Sequence, residues 1–264
     1  MGQRLVASDR DGTLFGPNSV PEPRTVAAVN AAVDAGYIFA AVTGRSHFSG
    51  ADRVLDSGTN AHWFIGSNGG HRMELSSRTL EERLLFSEHD VRTMIAELPQ
   101  QIDGIGFGFE HDIGFSFDAG FRAVFPRAFD GGPRQNTASW APDNVGKIFV
   151  SHPTLESSDL IKAASLLVPD GTHVTTSGTS FVELTPHGGD KALGAARLCE
   201  KLGIDPTDVV AFGDNNNDLS MLAWAGRGIA MANATAAALA IADEVTLSNT
   251  DYGVAVVLEE LVQQ

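Results

Sequence analysis

Cysteine is almost absent from this chain, with Cys199 the only one in 264 residues. A single thiol excludes an internal disulfide and any zinc site built from several cysteines, and it makes a reducing cytoplasm the expected compartment. Basic residues are scarce too. Eighteen Lys and Arg against thirty-three Asp and Glu leave a formal charge of −15. That argues against nucleic acid or an anionic membrane as partner, since both require clustered cations. No apolar run approaches the ~20 residues of a membrane span, the first residues carry no signal-peptide pattern, and there is no internal repeat or low-complexity tract. What is present is an ordinary globular composition, 43% hydrophobic and 19% charged, in a chain long enough for one large domain or two modest ones.

Periodicity separates two textures. Residues 5–7 form a short buried strand, 21–35 a helix with Gly36 as its stop, and Tyr37–Val42 a continuous apolar strand closed by Thr43-Gly44. A helix through Val54, a strand at 63–66 and a hairpin from 71–75 and 79–84 follow. Strand and helix in alternation imply a doubly wound α/β sheet, largely parallel. From about Leu85 the pattern changes to a helix at 90–98, alternating strands at 105–109 and 113–117, and a loop-like stretch at 133–144. A strand at 145–151, a helix at 155–167 and a hairpin from 172–177 and 181–185 complete this part, which has the character of an α+β insert. Pro186-His187-Gly188-Gly189 has the composition of a return hinge. The α/β alternation then resumes, with a helix at 191–202 that carries Leu193, Ala196 and Leu198 near one face. Strands at 209–212, 228–231 and 245–247 and helices at 219–224, 234–242 and 254–261 follow it. The expected division is therefore 1–84 with 187–264 as one domain, and 85–186 as an inserted cap.

The chemistry starts at Asp9-Arg10-Asp11-Gly12-Thr13. Asp9 and Asp11 sit where the first strand ends in a turn, the edge at which open α/β sheets hold ligands. Two carboxylates this close push each other's pKa values apart, which suits one to stay ionised as a nucleophile and the other to carry a proton. Two further strand ends deliver Thr43-Gly44-Arg45 and Gly213-Asp214-Asn215-Asn216-Asn217-Asp218 to the same edge, and Lys191 opens a helix beside them. Four carboxylates around one lysine repel unless a cation sits among them. An all-oxygen donor set with room for water and phosphate favours Mg²⁺, and a divalent ion also reconciles an acidic protein with an anionic substrate.

These motifs, with Asn68-Gly69, Gly189-Asp190-Lys191 and Met231-Ala232-Asn233-Ala234, make the chain resemble the haloacid dehalogenase superfamily of Mg²⁺-dependent phosphatases, in particular the Cof-like group with a type IIB cap. The resemblance implies that Asp9 is the nucleophile and forms an aspartyl-phosphate, while Asp11 protonates the leaving alcohol and later accepts the proton of water. It implies that Thr43, Gly44, Lys191 and Asn217 hold the phosphoryl group, and that Mg²⁺ binds at Asp9, the Asp11 carbonyl, Asp214 and Asp218. The expected substrate is a small phosphorylated metabolite, such as a sugar phosphate. Two other functions use the same residue types: a phosphomutase, and a receiver-like phospho-acceptor that turns over once. Two departures from the group stand out. Arg10 occupies a position that is usually apolar. Asp190 stands where a Ser usually precedes the Lys, and is expected to perturb the electrostatics of Lys191. In the cap, Glu183 is a candidate contact for a substrate hydroxyl.

Overall fold

The computed structural model describes residues 3–111, 114–126, 143–176 and 180–263. The chain divides into two compact units, Met1–Glu82 with Asp190–Gln264, and Arg83–Gly189. The first unit begins with β1 (Arg4–Asp9), α1 (Pro23–Asp34), β2 (Tyr37–Val42), α2 (His47–Leu55), β3 (Trp63–Gly66), β4 (His71–Glu74) and β5 (Thr79–Arg83). The second unit holds α3 (Glu88–Gln101), β6 (Gly106–His111), β7 (Gly114–Phe117), α4 (Ala119–Val124), β8 (Lys147–Ser151), α5 (Ser157–Ser165), β9 (His173–Thr175) and β10 (Val182–Thr185). The chain then returns to the first unit through α6 (Lys191–Leu202), β11 (Val209–Gly213), α7 (Leu219–Trp224), β12 (Arg227–Ala230), α8 (Ala236–Ile241), β13 (Glu244–Val245) and α9 (Gly253–Val262).

The first unit is an eight-stranded sheet in the order β13-β12-β11-β1-β2-β3-β4-β5. All pairings from β13 to β3 are parallel, and β4 runs antiparallel to β3. The central parallel strands are buried on both faces, which is why β1, β2 and β11 are continuous apolar runs in the sequence. Alternation decides which residue faces which layer. Val6, Phe39, Phe64, Phe212 and Ile229 pack in one cluster with residues of α1, α2 and α9. Leu5, Ala7, Ala40, Val42, Ile65 and Ala211 pack in the other with residues of α6, α7 and α8. On α6 the packed face differs from expectation. Leu193 is 48% exposed, and the buried positions are Lys191, Ala192, Gly194, Ala195, Leu198 and Cys199. The reason is proximity: a Cβ on Gly194 would lie 2.6 Å from the Cα of Gly69, so α6 approaches the chain after β3 through its small residues and turns Leu193 outward.

The strand order also positions the site. β1 has β2 on one side and β11 on the other, so the strand order reverses at β1, where the chain crosses to β2 through α1 and returns to β11 through α6, and a crevice opens at its C-terminal end. The register pairs Asp9 with Val42 and Gly213 with Ala230. Asp9, Thr43 and Asp214 consequently emerge at one edge.

The second unit is α+β. Its five-stranded antiparallel sheet has the order β7-β6-β8-β10-β9. Phe107, Phe109, Ile148, Val150, Val182 and Leu184 face α3 and α5 in a third core. The opposite sheet face carries Phe149, which lies edge-on to Phe181 with ring centroids 5.6 Å apart, and the charged residues Glu110, Lys147 and Glu183. Glu183 is buried, with an oxygen 3.5 Å from Lys147 Nζ. Helix α3 begins with Ser87, whose side chain caps Asp90 N, and runs past Leu98 with Pro99 inside it, so it is longer at both ends than its periodicity predicts. Ile113, the stretch 133–142 and Ser177 lie outside the described residues.

Candidate active site

Asp9 ends β1 and is 5% exposed. Its partner is Lys191, the first residue of α6 and fully buried, whose Nζ donates to Asp9 Oδ1 at 2.6 Å. The same ammonium donates to Asp218 Oδ1. Asp218 is held from its other side, because Oδ2 accepts from the backbone N–H of Asp214 at 3.0 Å and of Asn215 at 2.9 Å. Asp214 is fixed by Thr13, whose hydroxyl donates to Oδ1 at 2.8 Å. Asp9, Asp214 and Asp218 each bring a carboxylate oxygen within 4.8 Å of the others.

Three buried carboxylates around one ammonium leave uncompensated negative charge, and the titration of the group reflects it. Burial, opposed by Lys191 and reinforced by Asp218 and Asp214, pushes Asp9 well above the usual carboxylate range. Burial, opposed by the Thr13 hydroxyl, pushes Asp214 up to about 6. Burial alone would lower Lys191, but Asp218 and Asp9 outweigh it and raise the ammonium above its ordinary value. A fixed all-oxygen donor set with excess negative charge fits a hard divalent cation.

Asp11 is not part of this cluster. Its side chain, 36% exposed, turns to two arginines. Arg10 Nη1 donates to both Asp11 oxygens, at 3.0 and 2.9 Å. Arg45 adds Nε to Oδ2 at 2.9 Å and Nη2 to Oδ1 at 3.3 Å. Thr43 is 1% exposed and its hydroxyl accepts from Arg45 N at 3.1 Å, with Gly44 half-buried between them. Asn217 is buried and donates through Nδ2 to Asn68 Oδ1 at 3.0 Å. The expected site residues thus fall into a charged cluster (Asp9, Lys191, Asp214, Asp218), a neutral pair reaching across to the β3 turn (Asn217 with Asn68), the turn after β2 (Thr43 and Gly44), and Asp11 with its arginines. Asn68 follows Ser67 in a left-handed conformation and precedes Gly69, also at positive φ, and the Asn-Gly pair is the local signal for such a turn.

Asp190 serves the start of α6. Its Oδ1 caps α6 by accepting from Ala192 N at 2.9 Å and Leu193 N at 3.2 Å, and Oδ2 accepts from Ser220 Oγ at 2.6 Å. The carboxylate is engaged as a helix cap. Sequence reasoning misses the pairings made by Thr13, Arg45 and Asn68, because each acts through a side-chain direction in a turn, where no periodicity predicts it.

Gly12 is required twice over. Its φ is +90°, and a Cβ there would meet Asp214 Oδ2 at 2.5 Å. Gly12→Ala is therefore expected to cost about 1–2 kcal/mol for the left-handed backbone alone and to displace Asp214. Thermal melting and phosphate release should both fall, whereas Gly36→Ala, at φ +92° with nothing within 4 Å, should affect stability only.

The family description of the haloacid dehalogenase-like hydrolases matches residues 6–258. The chain belongs to that family. Among its relatives, the 5-amino-6-(5-phospho-D-ribitylamino)uracil phosphatase YcsE of Bacillus subtilis is 26% identical over 257 residues, covering 96% of this chain and 93% of that protein. A phosphoglycolate phosphatase of Methanopyrus kandleri is 48% identical over 75 residues, a partial match covering 28% of this chain and 32% of the other. The solved structure of a subclass IIB sugar phosphatase of the superfamily superposes with a TM-score of 0.81 at 20% identity, covering 98% of each chain. This haloacid dehalogenase-like hydrolase is thus an enzyme, and both of these relatives are named phosphatases. No helix among the described residues is long and apolar enough to cross a membrane.

Proposed function

We propose that this hydrolase is a Mg²⁺-dependent phosphatase that cleaves a small phosphate monoester, of the sugar- or polyol-phosphate class, through an aspartyl-phosphate on Asp9. The observation that carries the proposal is the Lys191–Asp9 pair within the buried carboxylate cluster. Lys191 holds one oxygen of Asp9 and so directs the other, Oδ2, to phosphorus. As the new O–P bond forms, the ester P–O bond breaks, and Asp11 gives its proton to the departing alkoxide. Water then attacks the acyl phosphate, Asp11 takes the proton back, and Asp9 is freed with release of inorganic phosphate. Thr43, the Gly44 backbone, Lys191 and Asn217 hold the phosphoryl oxygens, which need positioning and charge neutralisation above all. Asp9, the Asp11 carbonyl, Asp214 and Asp218 would hold the Mg²⁺, which supplies the positive charge that an acidic site needs to accept a dianion. The substrate class rests on the phosphoribityl substrate in the name of YcsE and on the sugar phosphatase with the same fold.

The test is phosphate release from a panel of sugar, polyol and aryl phosphates with Mg²⁺. The expected result is continued turnover of at least one sugar or polyol phosphate. Release of about one phosphate per chain across the whole panel would instead identify a phospho-acceptor and overturn the proposal.

A further inference from the structure

Arg10 lies between the two key aspartates and is 2% exposed. The loop after β1 folds back on itself, with Leu14 N donating to Asp9 O at 3.2 Å and Phe15 N to Arg10 O at 2.7 Å. This brings the buried ring of Phe15 beneath the Arg10 guanidinium, 4.5 Å from ring centroid to Cζ. Stacked on the ring, the guanidinium aims Nη1 at both oxygens of Asp11. Its Nε is buried and has no hydrogen-bond partner among the described residues.

A buried arginine with an unpaired donor is a poor way to fill space over a phenyl ring, since an apolar side chain of similar length would pack there without desolvating a charge. What Arg10 alone supplies is a rigid contact to Asp11. Arg45 reaches the same carboxylate, but its side chain is 49% exposed and comes from the loop after β2. One arm of the clamp is therefore buried and the other lies half in solvent.

We propose that Arg10 is a positioning residue for Asp11: stacked on Phe15, it fixes the carboxyl group in the orientation from which proton transfer to the leaving oxygen occurs, while Arg45 yields its place to the substrate. The proposal rests on the phosphatase function above. In the step concerned, the P–O ester bond breaks with its electron pair going to oxygen, the Asp11 proton passes to that oxygen, and Asp11 becomes a carboxylate still held by Arg10. General acid catalysis of this kind contributes about 10²–10⁴-fold, and it matters most for leaving groups that cannot depart as stable anions.

Two aryl esters separate the possibilities: 4-nitrophenyl phosphate, whose leaving group departs readily unprotonated, and phenyl phosphate, whose leaving group does so less readily. Arg10→Met keeps the bulk over Phe15 and removes the contact. It is expected to lower kcat on phenyl phosphate about tenfold more than on 4-nitrophenyl phosphate, with KM changed less than about twofold. Arg10→Lys, which retains a donor, should recover part of the loss. Asp11→Asn should show the same discrimination in stronger form, and adding Arg10→Met to it should cost less than about a further twofold, because residues acting as one unit are non-additive. Thermal melting of each variant separates folding from function. Equal losses on both esters, or a full multiplicative loss in the Asp11→Asn background, would show that Arg10 only supports the fold and would overturn the proposal. Failure of the phosphatase mechanism looks different: Asp11→Asn would then turn over both esters like wild type, which removes the acid–base role and the role of Arg10 together.

Discussion

Asp9→Asn is expected to reduce phosphate release by at least ~10⁴-fold, the scale on which removal of a nucleophile acts in enzymes whose site residues work as a unit. The substitution preserves shape and removes only the anion. Lys191 keeps its second carboxylate, Asp218, so the buried ammonium is not orphaned. The loss of one negative charge from a cluster that already repels itself should leave the melting temperature unchanged or higher when no metal is added. Phosphate release and a thermal melt on the same preparation check both halves. Residual activity above a tenth of wild type would remove Asp9 from the nucleophilic role, and a collapse of the melting temperature would show that the anion serves the fold.

The second large effect concerns the cation. With Mg²⁺ at about a hundred times its dissociation constant, binding to the native state alone stabilises by about 2.7 kcal/mol, a rise of roughly 5–10 °C in melting temperature for a chain of this size. Asp214→Ala should abolish that rise together with activity. The pH dependence has a definite sign. Asp214 releases its proton at about 6 in the folded chain against an ordinary value of 3.8, so its raised value contributes stability that is complete below about 3.8 and lost as pH rises through 6. The metal-free protein should accordingly become more stable between pH 7 and 5. The same proton competes with the cation, so the Mg²⁺-induced rise should shrink over that interval. A melting-temperature gain from Mg²⁺ that is as large at pH 5 as at pH 7.5 would contradict the assignment of Asp214 as a ligand, and full activity in EDTA would contradict the metal itself.

Where the sequence is legible, the reason is continuity or punctuation. The strand Tyr37–Val42 is buried on both faces and bounded by glycine and by Thr43-Gly44, so its ends are visible. Helix α6 starts at a capping aspartate and stops at Gly203 in the left-handed conformation, and both ends are visible for that reason. The gathering of Asp9, Asp214, Asp218 and Lys191 follows from strand ends sharing an edge, a rule of topology that needs no side-chain geometry. The direction of Asp11 is not legible, because residues in a loop have no period and two arginines from different loops decide it. The exposure of Leu193 is hidden for a related reason. Helical spacing marks a face, but only the glycine contact with Gly69 determines which face is in.

The hydrogen bond from Thr13 to Asp214 joins positions 201 residues apart, and β1 pairs along its length with β11. At a synthesis rate of about 5–20 residues per second, the N-terminal half of this pocket leaves the ribosome roughly 10–40 s before its partner strand exists. During that delay β1 is an apolar strand with an unpaired edge. The segment Arg83–Gly189, whose sheet pairs only its own strands, is synthesised in that interval. The nascent chain therefore has its longest exposure to chaperones and to misassembly in the first eighty residues.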